Sequence, residues 1–371
     1  MARTVVGVND PKAVKKYSSQ LMLDVSQDSY WNQRFMGRGE IASTPIQVLT
    51  DLESDAGEEI KYDLLAELRM SPVEGDDMLE GKEEGQRFYT DSVYIDQART
   101  GVNTGGRMTR KRTIHNLREK ARRQQANWWR RFMDELFFVY LSGARGVNDN
   151  FIVGLDFNGR ANNALTAPDA QHHFFGGSAT AFNNVSAADK MTLGLVDKLV
   201  TRAQTQGGGA TDIPVLQPCV VDGEEHFVFV MHTWQEDDLR KETGGASWLE
   251  IQKSLATAIG KQSPIFKGGL GVYRNVVLHS HRNAIRFNTA GAGANVEAAR
   301  GLFLGAQAGV CAFGSPGTGM RFDWFEDQRD NNNQVVITTS SIFGVKKVTY
   351  NTPLGPQDFG VFAVTTAAAG R

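Results

Sequence analysis

Apolar residues between positions 107 and 143 recur at three- and four-residue steps, the spacing of one buried helix face. Thr109 or Thr113 can cap the start of such a helix, and Gly143 stands where a left-handed residue commonly ends one. The pattern therefore predicts a single long helix over residues 107–143. Its apolar face is expected to comprise Ile114, Leu117, Ala121, Trp128, Phe132, Leu136 and Val139.

The segment before this helix has the period of β-strands. Ile60, Tyr62 and Leu64 alternate with charged residues, and a second β-like run covers residues 86–98. A glycine-rich acidic stretch separates the two runs, so the pattern predicts a long hairpin with an acidic tip. Because an isolated two-stranded hairpin is marginally stable in water, we expect this one to lie against another surface.

The rest of the chain mixes helical and strand patterns, which predicts an α+β protein. Residues 1–45 indicate either an arm that needs a partner surface or a helical segment packed on its own domain, and residues 144–185 predict a long irregular insertion. Helices are expected to begin at Ser186 with Asp189, at Thr233 with Glu236 and at Ser247 with Glu250. The first is expected to be amphipathic, with Met191, Leu195, Leu199 and Ala203 on its apolar face, and the small residues of 300–305 indicate tight packing. Strands are expected at 215–221, 226–231, 272–278, 322–325, 335–339, 345–350 and 359–364.

Charge is concentrated in two opposed blocks that the chain total of −2 conceals. Residues 51–84 hold thirteen acidic side chains against three basic ones, and residues 107–131 hold ten basic side chains against one acid, Glu119. Unpaired positive charges on one helix would repel one another. We therefore favour docking of the acidic hairpin onto a basic surface, in the same chain or in a neighbour.

The sequence contains no strong catalytic, cofactor-binding or metal-binding motif. A phosphate loop, a nucleophile elbow and paired Cys-x-x-Cys motifs are missing, and the two cysteines give no disulfide framework. At 371 residues, two or more lobes are expected, without a signal peptide or a membrane span. Two alternatives stay open: a nucleic-acid-binding protein that uses the basic helix over 107–131, and a metal-dependent hydrolase that uses His279 and His281.

Short segments spread in order over most of the chain carry a resemblance to a known family. They are FMGRG (35–39), TDLE (50–53), AGEEI (56–60), VEGD (73–76), LEG (79–81), DSVYIDQ (91–97), LRE (117–119), LSG (141–143), FKGGLG (266–271), ARGLFLG (299–305) and DFG (358–360). With these segments, the chain resembles the major capsid proteins of tailed bacteriophages, specifically the N4-type podophage family, whose fold is HK97-like.

The resemblance implies a division of the chain into capsid domains. It implies an N-terminal arm (1–45), an E-loop with flanking strands (46–106), a P-domain spine helix (107–143), the irregular insertion (144–185), an A-domain (186–315), P-domain strands (316–350) and a C-terminal A-domain segment (351–371).

The resemblance also implies a structural role in the virion. The chain would self-assemble in the host cytoplasm into pentamers and hexamers of an icosahedral head around double-stranded DNA. Portal, separate scaffolding and decoration proteins would be its other partners, with no cofactor and no membrane. Inter-subunit contacts are expected at Asp76, Asp77, Glu80, Glu83, Glu84, Arg110, Arg118, Arg122, Arg123 and Arg130.

Overall fold

The computed structural model describes residues 20–22, 24–26, 29–39, 43–53, 56–66, 68–208, 213–221, 223–242, 269–315 and 321–370. The helix expected to begin at Ser247, most of the helical segment expected near the N-terminus and the first part of the FKGGLG segment lie outside these residues.

Helices whose bounds the structure describes are α1 Tyr30–Arg34, α2 Arg107–Arg112, α3 Leu117–Ser142, α4 Leu193–Thr205 and α5 Thr233–Arg240. The strands are β1 Met36–Arg38, β2 Ile46–Leu49, β3 Glu59–Leu65, β4 Phe88–Tyr94, β5 Asp96–Asn103, β6 Gly159–Arg160, β7 Asn163–Ala164, β8 His173–Phe175, β9 Cys219–Val221, β10 Glu224–Met231, β11 Gly271–Tyr273, β12 Val276–Ser280, β13 Ile285–Ala290, β14 Val296–Leu304, β15 Gly309–Gly314, β16 Asp323–Arg329, β17 Gln334–Lys347, β18 Thr349–Thr352, β19 Gly355–Asp358 and β20 Val361–Ala367.

A six-stranded sheet is built around the long strand β17. β16 pairs with the first half of β17 and β15 with its second half, both antiparallel, while β5 pairs antiparallel along the opposite edge. β2 extends the sheet in parallel with β15, and β1 pairs in parallel with β2 as the next strand of the same sheet. Thus β2, β5 and β15 all belong to this sheet, although the implied domain division assigns the first two to the E-loop and the third to the A-domain.

The long helix α3 lies on this sheet. Trp129 is fully buried and its Nε1 donates a hydrogen bond to Thr339 Oγ1 on β17 (2.8 Å), while Gln125 Nε2 donates to the Ile337 carbonyl (2.9 Å). Gly143 ends the helix in the left-handed conformation, as predicted. The side chains that α3 buries are Ala121, Gln125, Ala126, Trp129 and Met133 through Ser142.

The prediction of one uninterrupted helix from residue 107 is wrong. The chain leaves the helical conformation after α2, and Asn116 caps α3 by accepting a hydrogen bond from the Glu119 N–H (3.4 Å). Ile114 lies in the break with its side chain fully exposed, so it is not part of the buried face. An asparagine three residues before an acid is itself a helix-start signal, and here it overrides the apolar period.

The second large sheet has eight strands. Its central order is β11, β12, β10, β14, β20 and β8, with β13 on β14 and β9 on β10. The amphipathic helix α4 packs Leu195, Leu199 and Ala203 on this sheet, and the core there includes Phe229, Phe303 and Phe362. The predicted apolar face of α4 is therefore confirmed, although the helix begins after its N-cap Thr192 and not at Ser186.

Two further short elements differ from the sequence prediction for local reasons. The strand expected over 272–278 is a hairpin, because Arg274 and Asn275 adopt positive φ angles of 45° and 62°, which turn the chain between β11 and β12. The capping box of α5 is formed by His232 and Gln235, one residue earlier than expected.

Residues 144–185 are less irregular than predicted. They contain β6, β7 and β8, and β8 joins the eight-stranded sheet in parallel with β20. Arg145 and Asn148 in this segment are buried, and Asn148 Nδ2 donates to the Ala284 carbonyl at 3.0 Å. Long-range hydrogen bonds therefore fix a segment whose sequence has no clear period. None of the helices described is both long and apolar enough to cross a lipid bilayer.

Candidate assembly surfaces

The β3–β4 hairpin is fixed at its base by buried contacts within the chain. Ile60 and Val93 are buried against the six-stranded sheet and the β18 region. Asp91 accepts hydrogen bonds from Tyr62 Oη (2.7 Å) and from Lys346 Nζ. The base of the hairpin is thus part of the folded core, and the hairpin leaves the body in a defined direction.

Beyond this base, the hairpin is strongly exposed. We call residues 68–87 the hairpin tip; it turns at Gly75 and Gly81, both with positive φ. Large apolar side chains on the tip and its two flanking strands are 37–70 % exposed, namely Leu65, Leu68, Met70, Met78, Leu79 and Phe88. An apolar row of this kind on a projecting element indicates a surface that another molecule covers.

The five acidic residues expected to make contacts all lie on the hairpin tip, but they differ in their local bonds. Asp76, Asp77, Glu80 and Glu83 are exposed, and Asp77 pairs with Lys82 at 3.6 Å. Glu84 accepts the Arg69 N–H (2.5 Å), which is the main cause that lowers its pKa, and also the Met70 N–H. Glu84 therefore shapes the tip, whereas Asp76 and Glu80 face solvent.

The basic residues expected to make contacts divide in a similar way. Arg118 pairs with Glu326 (Nε–Oε1, 2.6 Å) and Arg123 with Glu119 (3.2 Å). Arg122 binds the chain's own N-terminal segment, through Gln20 (2.6 Å) and Asp24 (3.7 Å). These in-chain bonds decide how much of each cation a second molecule can use.

Arg130 and Arg110 complete the set. The charge of Arg130 acts on Asp134 one turn further along α3. Arg110 Nη2 donates to the Asn333 carbonyl (3.0 Å), and its Nε is enclosed without a hydrogen-bond acceptor among the described residues. The Nε atoms of Arg122 and Arg130 are likewise enclosed without an acceptor among the described residues, so three of the five arginines share this feature.

The described residues between positions 20 and 39 pack on α3 of the same chain, which favours the second of the two interpretations. Leu21, Val25, Trp31 and Phe35 are buried in the core that contains α3. Asp134 of α3 accepts hydrogen bonds from Ser29 Oγ (2.8 Å), the Tyr30 N–H (3.1 Å) and the Trp31 N–H (3.4 Å). Burial raises the pKa of Asp134 to about 6.

The histidine pair considered as a metal site is part of an aromatic core. Tyr30 contacts both rings, with centroid distances of 6.5 Å to His279 and 4.4 Å to His281, and Phe138 stacks on His281 at 5.0 Å. Burial lowers the pKa of His281 to about 4. Within the described residues, no group of three His, Cys, Asp or Glu side chains could hold a metal ion. The pair therefore packs the core, and the hydrolase alternative has no support.

Buried charges that the sequence did not single out hold the two sheets and α3 together. Arg300 on β14 donates from Nη1 to the Ser142 carbonyl at the end of α3 (2.7 Å) and from Nε to Thr365 Oγ1 (3.2 Å). Lys347, at the end of β17, pairs with Asp358 at 2.7 Å, and both side chains are at most 3 % exposed. Arg300 lies in the ARGLFLG segment and Asp358 in the DFG segment, so the motifs were the only sequence signal for these contacts.

Comparison with known proteins identifies the family. The model of the family described as phage capsid protein matches residues 5–370. The major capsid protein of Pseudomonas phage KPP25 is 27 % identical over 394 residues, which cover 95 % of this chain and 98 % of that protein. The capsid of Ralstonia phage GP4 superposes with a TM-score of 0.84 at 44 % identity, over 100 % of this chain and 99 % of the other.

The capsid of cyanophage Pam1 has the same fold, with a TM-score of 0.67 at 21 % identity over 90 % of this chain and 91 % of that one. This chain belongs to the phage capsid protein family. The α+β HK97-like fold and the role of a phage major capsid protein, a structural protein of the virion and not an enzyme, are thereby confirmed. The narrower N4-type assignment stays a prediction.

Proposed function

We propose that copies of this chain assemble into the pentamers and hexamers of an icosahedral head that encloses double-stranded DNA, and that each hairpin tip lies on the basic surface of a neighbour. The observation that carries the proposal is the contrast within one hairpin: its base is held in the core by Asp91, Ile60 and Val93, while its tip exposes carboxylates beside apolar side chains. A rigid projecting element with an uncovered apolar row is suited to contact a second copy.

The charge blocks would contribute chiefly to the direction and rate of association. A single exposed ion pair is worth about 0–1 kcal/mol, so no single arginine is expected to decide assembly. Several pairs with complementary sign steer an encounter and disfavour wrong orientations. Met78 and Leu79, 70 % and 53 % exposed, add apolar area that the charge argument alone did not include.

The proposed domain roles follow the same logic. The residues around α3 and β17 would form the P-domain, the eight-stranded sheet with α4 the A-domain, and β3 with β4 the E-loop. Portal, scaffolding and decoration proteins would be further partners, and the packaged DNA would be bound without sequence specificity.

A charge-reversal series tests the hairpin contact. Arg112→Glu/Arg123→Glu reverses two exposed arginines, of which Arg123 forms an i,i+4 ion pair with Glu119 within the helix. We expect far fewer closed shells by negative-stain microscopy, and partial recovery when Asp76→Lys/Glu80→Lys is added. The matched control is Lys198→Glu/Lys241→Glu, which makes the same charge change at two exposed positions, one on α4 and one at the C-cap of α5, both beside the eight-stranded sheet. Lys241 pairs with Asp237, four residues earlier. Normal shells from Arg112→Glu/Arg123→Glu, as from the control, would exclude the electrostatic contact.

A further inference from the structure

A cleft of about 430 Å³ lies where the start of α3 faces the edge of the six-stranded sheet. Arg110, His115 and Arg118 line one side, and Glu326 and Gln328 of β16 line the other. His115 and Asn116, which lie in the break between α2 and α3, are among the lining residues. The unpredicted break thus contributes to the wall of the cleft.

The hydrogen bonds around the cleft leave it short of acceptors. Glu326, the acid in its lining, already accepts from Arg118 Nε (2.6 Å) and from Trp324 Nε1 (2.9 Å). Arg110 is held by the Asn333 carbonyl, yet its Nε has no acceptor among the described residues. That Nε is buried, so a second molecule would meet the rest of the Arg110 guanidinium, for which a carboxylate is the strongest partner.

Exposed apolar side chains lie close in sequence to the residues that line the cleft. Met108 on α2 is 61 % exposed and Ile114, which directly precedes His115, is fully exposed. The hairpin tip has the matching composition: Asp76 and Glu80 are exposed carboxylates, and Met78 and Leu79 between them are exposed apolar side chains. Each surface combines charged with apolar side chains, and the charges of the two surfaces are opposite in sign, so the surfaces are complementary in charge and in apolar character.

We propose that this cleft is the receiving site for residues 76–80 of a second copy, with a tip carboxylate pairing with the Arg110 guanidinium and Met78 or Leu79 covering Met108 and Ile114. The inference rests on the proposed self-assembly. It narrows the receiving surface on the neighbour from a basic helix face to this one cleft. Arg122 and Arg123, which lie further along α3 and outside the lining of the cleft, would act on the contact through charge steering and not by direct pairing.

Cysteine cross-linking tests the site. The native Cys219 and Cys311 are both 0 % exposed, so they do not compete for oxidation in the folded protein. Asp76→Cys or Glu80→Cys in one preparation is mixed with His115→Cys or Gln328→Cys in another, the mixture is assembled, and mild oxidation is followed on a non-reducing gel. Because a disulfide requires Cα atoms within about 7 Å, it reports direct proximity.

We expect a disulfide-linked dimer from at least one of the four mixtures, in particles only, and none when Lys120→Cys on α3 replaces the cleft cysteine. Adding Arg110→Gln to the cleft partner should lower the dimer yield several-fold, and Arg110→Lys should lower it less. Shells without a dimer in any mixture, or with equal yield from Lys120→Cys, would overturn the cleft assignment alone. If the wild-type chain forms no shells by negative-stain microscopy, both the proposed function and this receiving site are excluded. Normal cross-linking in which Arg110→Gln affects only DNA retention would assign Arg110 to DNA and contradict the proposal.

Discussion

The buried ion pair between Lys347 and Asp358 gives the sharpest test of how the core is held together. Lys347 Nζ lies 2.7 Å and 2.9 Å from the two carboxylate oxygens of Asp358, and the side chains are 1 % and 3 % exposed. The Asp358 N–H donates to Asp169 Oδ2 (2.7 Å), and Asp169 binds His172. The pair therefore joins the end of β17 to β19 and to the loop before β8.

Lys347→Met removes the cation and leaves the carboxylate buried. Loss of one partner of a buried pair costs about 3–5 kcal/mol, so we expect a loss of that order in the free energy of unfolding at pH 7. The double variant Lys347→Met/Asp358→Leu removes both charges and should recover most of the loss, because an apolar pair of similar volume can replace a buried ion pair.

The pH dependence of the free energy of unfolding tests the loss in Lys347→Met independently. Burial raises the pKa of Asp358, and Lys347 acts against that rise. Without the lysine, the pKa of Asp358 in the folded state rises further. The folded state then holds a proton at pH values where the unfolded state has lost it, so the free energy of unfolding falls as the pH rises through the folded-state pKa. Urea unfolding at pH 5 and pH 7 should show a smaller deficit for Lys347→Met at pH 5. A deficit below about 1 kcal/mol at pH 7, or one that grows on acidification, would refute the reasoning.

Three further outcomes can be measured by the same unfolding assay. Gly344→Ala should cost about 3 kcal/mol or more, because its Cβ would lie 1.9 Å from a carbonyl oxygen of β4, whereas Gly85→Ala on the open hairpin tip should change stability by less than about 0.5 kcal/mol. Trp129→Phe should cost about 1–2 kcal/mol, since Thr339 loses its indole partner in a buried site. Asp134→Asn should flatten the pH profile between pH 4 and pH 7, because a pKa raised to about 6 makes the native protein lose stability as the pH rises through that value; an unchanged profile would contradict the assignment.

Local periodicity was enough to predict several elements of the fold. The hairpin of β3 and β4, the apolar face of α4 and the end of α3 at Gly143 each depend on residues close together in the chain. The tight packing expected at the ARGLFLG segment is also present, since a Cβ at Gly301 would lie 2.9 Å from the Phe229 ring.

The contacts that set sheet order and the cleft could not be predicted in this way. Ile114 fits the apolar period of α3 but is exposed, because Asn116 starts a new helix two residues later. Lys347 and Arg300 read as surface charges in a linear pattern, and only the folded arrangement provides Asp358 and the Ser142 carbonyl as their partners. The charge blocks identified the surfaces of interest but not which arginines the chain itself already engages.

Negative-stain electron microscopy of the purified full-length chain tests the central claim most directly. The account predicts closed shells of uniform diameter, with five-fold and six-fold clusters of subunits in class averages. Monomers or small oligomers at every protein concentration, with and without the phage's scaffolding protein, would contradict it.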